Sequence, residues 1–268
     1  MTAEIRNIKL TIAYQGTRYS GWQRQKDTPT VQETIEETLS DIVGHQTKIQ
    51  GASRTDAGVH AEGQVANFLV ESCPIPTEAF AAILSGKLPP DIAVRESVEV
   101  PLNFHASGTA IHKTYIYRIY TGHPKDVQLY NLRWQVEYPL DLNAINAAAK
   151  FLIGTHDFQG FTSAKDTREN AVRSIMNAHA WWSADASELL FMIQANRFLY
   201  MMVRNIVGTL VEIGRNRWPA EKVAQIIASQ DRTQAGPTAP PHGLCLKVVE
   251  YLKNSASTLD TQARIGDK

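Results

Sequence analysis

Seven consecutive residues, Arg54-Thr55-Asp56-Ala57-Gly58-Val59-His60, set a cation, a carboxylate, a flexible glycine and an imidazole side by side. A lone carboxylate with no metal can serve as a nucleophile or as an acid-base group at a sugar carbon. The same residues also fit a tight turn, with Asp56 bonding backbone amides and Gly58 supplying a positive φ. The flanks bear on this choice. Thr47 to Ala52 and Gln64 to Val70 mix apolar and polar residues as strands do, which makes the segment a polar loop between two strands. Binding and catalytic groups concentrate on such loops.

Other chemistries find less support. The eight His are scattered, and no pair shows metal-ligand spacing. Cys73 and Cys245 lie far apart with no CxxC, so they read as packed thiols in a reducing compartment. There is no Gly-rich phosphate loop and no Ser nucleophile elbow, so no dinucleotide or ATP cofactor is expected. A glycosidase-like hydrolase would need a second carboxylate, and neither Glu62 nor Asp157 is compelling in that role.

The elements that must hold the loop can be read on either side of it. Ile8, Leu10, Ile12 and Tyr14 alternate with polar residues as in a half-buried strand. Gly16 and Gly21 bracket a loop with Tyr19, Trp22, Gln23, Arg24 and Gln25, where Trp22 either contacts a nucleotide or plugs the core. Thr30-Val31-Gln32-Glu33 is a capping box opening a helix with Val31, Ile35, Leu39 and Ile42 on one stripe, ended by Gly44. A second helix is expected from Thr77 and a strand over Ile92 to Val100. Strand, helix, strand, strand, helix, strand is the ferredoxin-like order.

After a crossing segment at Asn103 to Ser107, His112 to Tyr120 reads as a central strand, with Tyr115, Tyr117 and Ile119 on one face. A helix over Leu142 to Leu152, a polar loop over Thr155 to Arg173, and strands at Ala171 to Trp182 and Leu189 to Ala195 follow. A long helix is expected over Phe198 to Ile213. Arg204 lies two residues from both Met202 and Ile206, so it points roughly 200° away from that apolar stripe. A short helix from Pro219 and a strand over Leu244 to Leu252 complete the pattern, and Asn254 to Lys268 is expected to fray. Residues 1–108 and 109–253 thus read as two halves, with no sequence repeat between them and a groove where they meet.

The bulk composition sets outer limits. A chain of 268 residues, 43% hydrophobic and 20% charged, can bury a substantial core and reads as a cytoplasmic globular protein with no membrane span. A formal net charge of +0 argues mildly against nucleic acid. Distribution tempers this: from Arg6 to Lys26, five cations face no acid in the sequence.

Over its full length, Gly51 to Phe68 resembles the signature of the TruA family of pseudouridine synthases, which modify transfer RNA. Gly16 to Gln25 with Thr30-Val31-Gln32, Lys113-Thr114-Tyr115-Ile116-Tyr117, Phe198 to Gly208, and Ala239 to Leu244 resemble further motifs of that family in the expected order. Gly154-Thr155-His156-Asp157-Phe158 adds another, and together they span nearly all the chain except its tail. The resemblance implies an α+β fold in which two ferredoxin-like, RRM-like halves form a mixed, mainly antiparallel sheet around an RNA-binding cleft. It implies that Asp56 is the catalytic aspartate, acting at the ribose C1′ or on uracil, and that Arg204 pairs with it. It further implies that Tyr115 stacks on the target base and handles its proton, that Leu244 packs against the base, and that Arg54 holds the nucleotide out of the stack. No metal or organic cofactor takes part in this family, which works as a homodimer on the 3′ side of the anticodon arm of tRNA. Tyr200-Met201 departs from the polar pair often found there.

Given that implied pairing, the cation of Arg204 should hold Asp56 below the usual carboxylate range. RNA binding should rest on Arg18, Arg24, Lys165 and Arg168. A non-catalytic RNA-binding protein on the same fold is the alternative of a different class.

Overall fold

A computed structural model describes residues 5–122, 124, 126–163 and 170–252. The alternation of Ile8, Leu10, Ile12 and Tyr14 forms β1 (Ile5–Tyr14), with all four side chains buried on one face. Helix α1 (Val31–Val43) starts where Thr30 Oγ1 accepts the Glu33 N–H, and ends at Gly44 with φ 80°. Its Val31, Ile35 and Leu39 are fully buried, as one apolar stripe requires. The chain then makes β2 (Gln50–Gly51), β3 (His60–Glu71), α2 (Ala79–Lys87) and β4 (Ile92–Val100). The second part adds β5 (Ala110–Tyr120), β6 (Trp134–Gln135), α3 (Leu142–Ala149), β7 (Gly154–Asp157), β8 (Val172–Trp182) and β9 (Glu188–Ala195). It closes with α4 (Met202–Gly214), α5 (Lys222–Ser229) and β10 (Leu244–Tyr251).

All ten strands join one sheet of order β4-β1-β3-β10-β5-β9-β8-β7, with β2 on β3 and β6 on β5. The arrangement is α+β and mixed, mainly antiparallel: only β3–β10 and β5–β6 run parallel. Within it, β4-β1-β3-β2 and β10-β5-β9-β8 have the same order, each the ferredoxin-like one. The two arrays meet at β3, which changes partner along its length. His60 and Ala61 pair with Cys245 and Leu246 of β10, whereas Ala66 and Asn67 pair with β2. Beside that switch runs the loop 52–59.

Two buried asparagines tie down the crossing segment. Asn7 Nδ2 donates to the carbonyls of Pro101 and Phe104, both at 3.0 Å, and Asn67 Oδ1 accepts from the Ala106 N–H at 2.8 Å.

Several sequence expectations shift. Gly154 to Asp157 is a strand and not loop: β7 pairs antiparallel with β8, Thr155 opposite Ser174. It is a short polar edge strand, so no alternation marks it. Helix α4 begins at Met202 instead of Phe198. Met201 is left-handed at φ 60°, and the Tyr200 carbonyl accepts from the Ser163 N–H, a tertiary bond that holds the residues before the helix apart from it. Helix α3 tightens into a 3-10 turn at Lys150–Leu152. Residues 253–268, expected to fray, lie outside the described part.

Candidate active site

The loop Ala52 to Val59 forms one wall of a cleft of about 860 Å³, completed by β5, the turn before α4, the first turn of α4 and the start of β10. Ala52, Ser53 and Thr55 are each anchored by neighbouring elements. The Ala52 N–H donates to the Val65 carbonyl at 2.7 Å, and its own carbonyl accepts from Lys113 Nζ. The Gln64 amide copies a strand pairing on Ser53, accepting from its N–H at 3.1 Å and donating to its carbonyl at 2.6 Å. Ser53 Oγ lies 2.8 Å from the Tyr115 hydroxyl, and Thr55 Oγ1 lies 2.7 Å from the Tyr14 hydroxyl. The Trp22 N–H holds the Thr55 carbonyl at 3.0 Å. Gly21, at φ 95°, permits this approach, since a Cβ there would sit 2.6 Å from the Thr55 oxygen.

So held, Asp56 faces the cleft. Its Oδ2 accepts from Arg204 Nη1 at 3.2 Å across 148 residues of sequence. The loop does turn tightly, the Asp56 carbonyl accepting the Val59 N–H at 3.1 Å, but among the described residues the Asp56 side chain bonds no loop amide. Gly58 does take the positive φ expected of it, 78°. Arg204 projects from the first turn of α4, a helix otherwise almost wholly buried. Its Nε donates to the Ala239 carbonyl at 2.8 Å while its own backbone carbonyl accepts from the Ala239 N–H, so the guanidinium is aimed from two sides. Gly208 makes this packing possible, because a Cβ there would lie 1.7 Å from the Pro237 oxygen.

Burial pushes the Asp56 carboxyl above its ordinary value, and the charge and hydrogen bond of Arg204 offset only part of that. This corrects the expectation of a lowered value: desolvation outweighs the single cation. Burial likewise raises the Tyr115 phenol, with the nearby Asp56 charge adding to it. Tyr115 is therefore a neutral phenol at physiological pH, its ring edge against Phe198 at 5.1 Å between centroids. Leu244, the first residue of β10, is buried and lines the same cleft, as does the exposed Arg54. Among the described residues no ion pair or side-chain hydrogen bond engages Arg54.

The cleft is cationic in a neutral protein. Arg54, Lys113, Arg173, Arg197 and Arg204 line it, and Asp56 is the one carboxylate among the described residues that does. Glu62 pairs with Lys247 at the surface, and Asp157 accepts from the Gln159 N–H, so neither supplies the second acid of a glycosidase. No group of three His, Cys, Asp or Glu among the described residues could hold a metal, and both cysteines are free thiols.

Of the cations expected to bind RNA, Arg18 and Arg24 do not join it. Arg18 pairs with Asp91 at 2.7 Å, and Arg24 with Glu33 and Glu36 at 3.1 and 3.4 Å. Lys165 and Arg168 lie outside the described residues. Trp22 is buried under the loop, 1% exposed, which settles its two readings in favour of the core plug.

Sequence reasoning passed over Ser53, Thr55, Gln64 and Tyr14, and passed over Lys113 although it shares a strand face with Tyr115 two residues on. It singled out the imidazole of His60 but gave it no role; His60 accepts the Gly16 N–H on Nδ1 at 3.0 Å and turns Nε2 to the carbonyls of Asn131 and His242 at 2.8 and 3.1 Å. Burial lowers its pKa, and the neutral ring ties the loop to the turn preceding Leu244.

Similarity to known proteins points the same way. The sequence profile described as tRNA pseudouridine synthase matches residues 10–107 and 148–252. A tRNA pseudouridine synthase A of Acetivibrio thermocellus is 43% identical over 92% of this chain and all of its own length. Proteins of the same name from Myxococcus xanthus and Halalkalibacterium halodurans are 43% and 44% identical, covering 91% and 90% of both partners.

Proposed function

The chain belongs to the tRNA pseudouridine synthase family, and from that premise we propose that it isomerises uridine to pseudouridine on the 3′ side of the anticodon arm of tRNA. The bond between N1 and C1′ breaks, the uracil turns, and C1′ rejoins at C5. The proton lost from C5 is balanced by one gained at N1, so the change needs no oxidant or reductant. The observation that carries this reading is the half-buried Asp56–Arg204 pair in a cleft whose other charged groups are cations.

In this reading Asp56 acts at C1′ or on the uracil, and Arg204 favours its ionised form against the pull of burial. A stem uridine must leave the stack before C1′ is accessible. Arg54, whose guanidinium no described residue engages, holds the nucleotide out, while Tyr115 stacks on the base and Leu244 packs against it. Tyr115, kept neutral, handles a proton as a phenol and not as a resting phenolate. No metal or organic cofactor is assigned a role. The tRNA phosphates would run along the cationic walls.

The same reading makes the enzyme a cytoplasmic homodimer that binds RNA across both subunits. Support comes from the second face of β5 and β9, where the apolar Ile116, Leu190 and Met192 remain half-exposed. Among the described residues no helix is long and apolar enough to cross a membrane. Carbodiimide mapping of tRNA after incubation tests the activity. Modified uridines should appear in the anticodon arm with the wild type and not with Asp56→Asn. A folded wild type that binds tRNA and converts nothing would instead be the non-catalytic RNA-binding protein.

A further inference from the structure

Lys113 is a lysine whose role the reaction just described leaves open. It lies on β5 two residues before Tyr115, on the same strand face, lines the cleft, and is only 9% exposed. Its Nζ donates to the carbonyl of Ala52, the residue before Ser53, whose hydroxyl meets Tyr115. Two adjacent residues of β5's cleft face therefore grip two adjacent residues of the segment that leads to Asp56. A bond at one point lets a loop pivot; bonds at two neighbouring points hold its direction. Among the described residues no carboxylate pairs with Lys113, and its ammonium meets one backbone oxygen, although burying a charge without a counter-ion is costly.

We propose that Lys113 is a positioning residue for the isomerisation: its ammonium clamps the Ala52 carbonyl and so sets the separation of Asp56 from Tyr115. This rests on the reading of Asp56 and Tyr115 given above. Because a charge-assisted bond is roughly twice as strong as a neutral one, the clamp is firm while Lys113 is protonated. Burial first, and then the neighbouring Arg197, lower its pKa from 10.5 to about 8. The clamp therefore weakens as pH rises through about 8. The groups that share the cleft do not mimic this: Arg54, Arg197 and Arg204 stay charged, burial and the Asp56 charge raise Tyr115, and Asp56 is an acid. His105, Arg173 and Tyr200 also line the cleft. Stability moves the opposite way. Between about 8 and 10.5 the unfolded chain binds more protons at this lysine than the folded one, so folding gains as pH rises. An alkaline loss of turnover would then not be unfolding.

The test uses full-length enzyme shown to be active on tRNA, with turnover, KM and tRNA affinity measured from pH 6.5 to 9.5. Lys113→Met should lower kcat on the order of 10- to 100-fold, the scale of a misplaced reacting group. It should leave KM and tRNA affinity within about threefold, because ground-state contacts remain. Lys113→Arg, a permanent cation, should keep most of the activity at pH 7 and lose the alkaline decline near pH 8. It also decides the matter if the Met variant does not fold. An unchanged kcat in Lys113→Met, or an alkaline decline that persists in Lys113→Arg, would overturn the proposal. So would a loss confined to tRNA affinity with a shallower salt dependence, which would make Lys113 a phosphate contact. A wild type with no activity would instead refute the function on which the proposal rests.

Discussion

Two groups of cations in this molecule look alike in composition and differ in circumstance. Arg18 and Arg24 belong to a run of sequence without a single acid, yet Asp91, Glu33 and Glu36 reach them from other elements. Arg54, Lys113, Arg197 and Arg204 are scattered over 150 residues of sequence, yet they line one cleft with a single carboxylate among the described residues. The first group is neutralised pairwise at the surface, where such pairs contribute little to stability. The second is left as an excess of positive charge around Asp56. A formal net charge of +0 therefore conceals a surface divided between compensated and uncompensated charge.

The comparison can be broken most decisively at its centre. Asp56→Asn should reduce pseudouridine formation by at least about 10⁴-fold, the scale of losing a nucleophile or base, while tRNA affinity stays within a few-fold. Turnover well above background in a clean preparation would remove Asp56 from the chemistry, and the cationic cleft would lose its focus.

Next comes the partner. Arg204→Ala should lower kcat on the order of 100-fold, by analogy with the loss of a positioned charge donor. Arg204→Lys should lose less, because it keeps the charge without the planar fork that reaches both Asp56 and Ala239. Equal losses would say that geometry matters more than charge. No loss would put Arg204 with the surface cations.

A pH profile sharpens the same point. Burial raises the Asp56 pKa and Arg204 opposes it. If the ionised carboxylate is the working form, turnover should fall on acidification at a pH above the ordinary carboxylate range. In Arg204→Ala that limb should move higher still, because only the opposing influence is removed. The sign for stability is the reverse of a salt-bridged acid: between the ordinary value of 3.8 and the raised folded value, the native state binds the extra proton, so stability declines as pH rises. A limb unmoved by Arg204→Ala would mean that the pair is not coupled in solution.

The smallest effect discriminates between the two groups directly. Each phosphate contact contributes roughly 0.7–0.9 to the slope of log affinity against log salt. Arg54→Ala should flatten the slope by about one such step, whereas Arg24→Ala should leave it unchanged because its charge is already offset. A salt titration of tRNA binding separates them. Equal flattening by both variants would erase the distinction between compensated and uncompensated cations.

Much of the frame was legible in the chain. The alternation in β1 and the Thr30 and Gly44 ends of α1 act through neighbours within a turn or a strand, so their physics is written locally. The Asp56 loop was legible for the same reason, as polar residues between strand-like flanks. What failed depended on distant contacts. The Tyr200 carbonyl is held by Ser163, so α4 starts four residues later than the apolar stripe does. The edge strand β7 is specified by its partner β8 and carries no apolar period of its own. Trp22 offered two readings because burial of one ring depends on what covers it, here Gly51 and the loop beyond.

By itself the sequence determined the order of the longer strands and helices and the acid at the centre of the loop, since propensity, capping and turn chemistry act over a few residues. Only the tertiary structure decided which cation meets that acid, how far burial overrides the cation, and which positive charges remain uncompensated. Ionic interactions depend on distance through space and on the local dielectric. Both are set only when β3 and β10 join the two halves of the sheet and bring residues 148 positions apart within 3.2 Å.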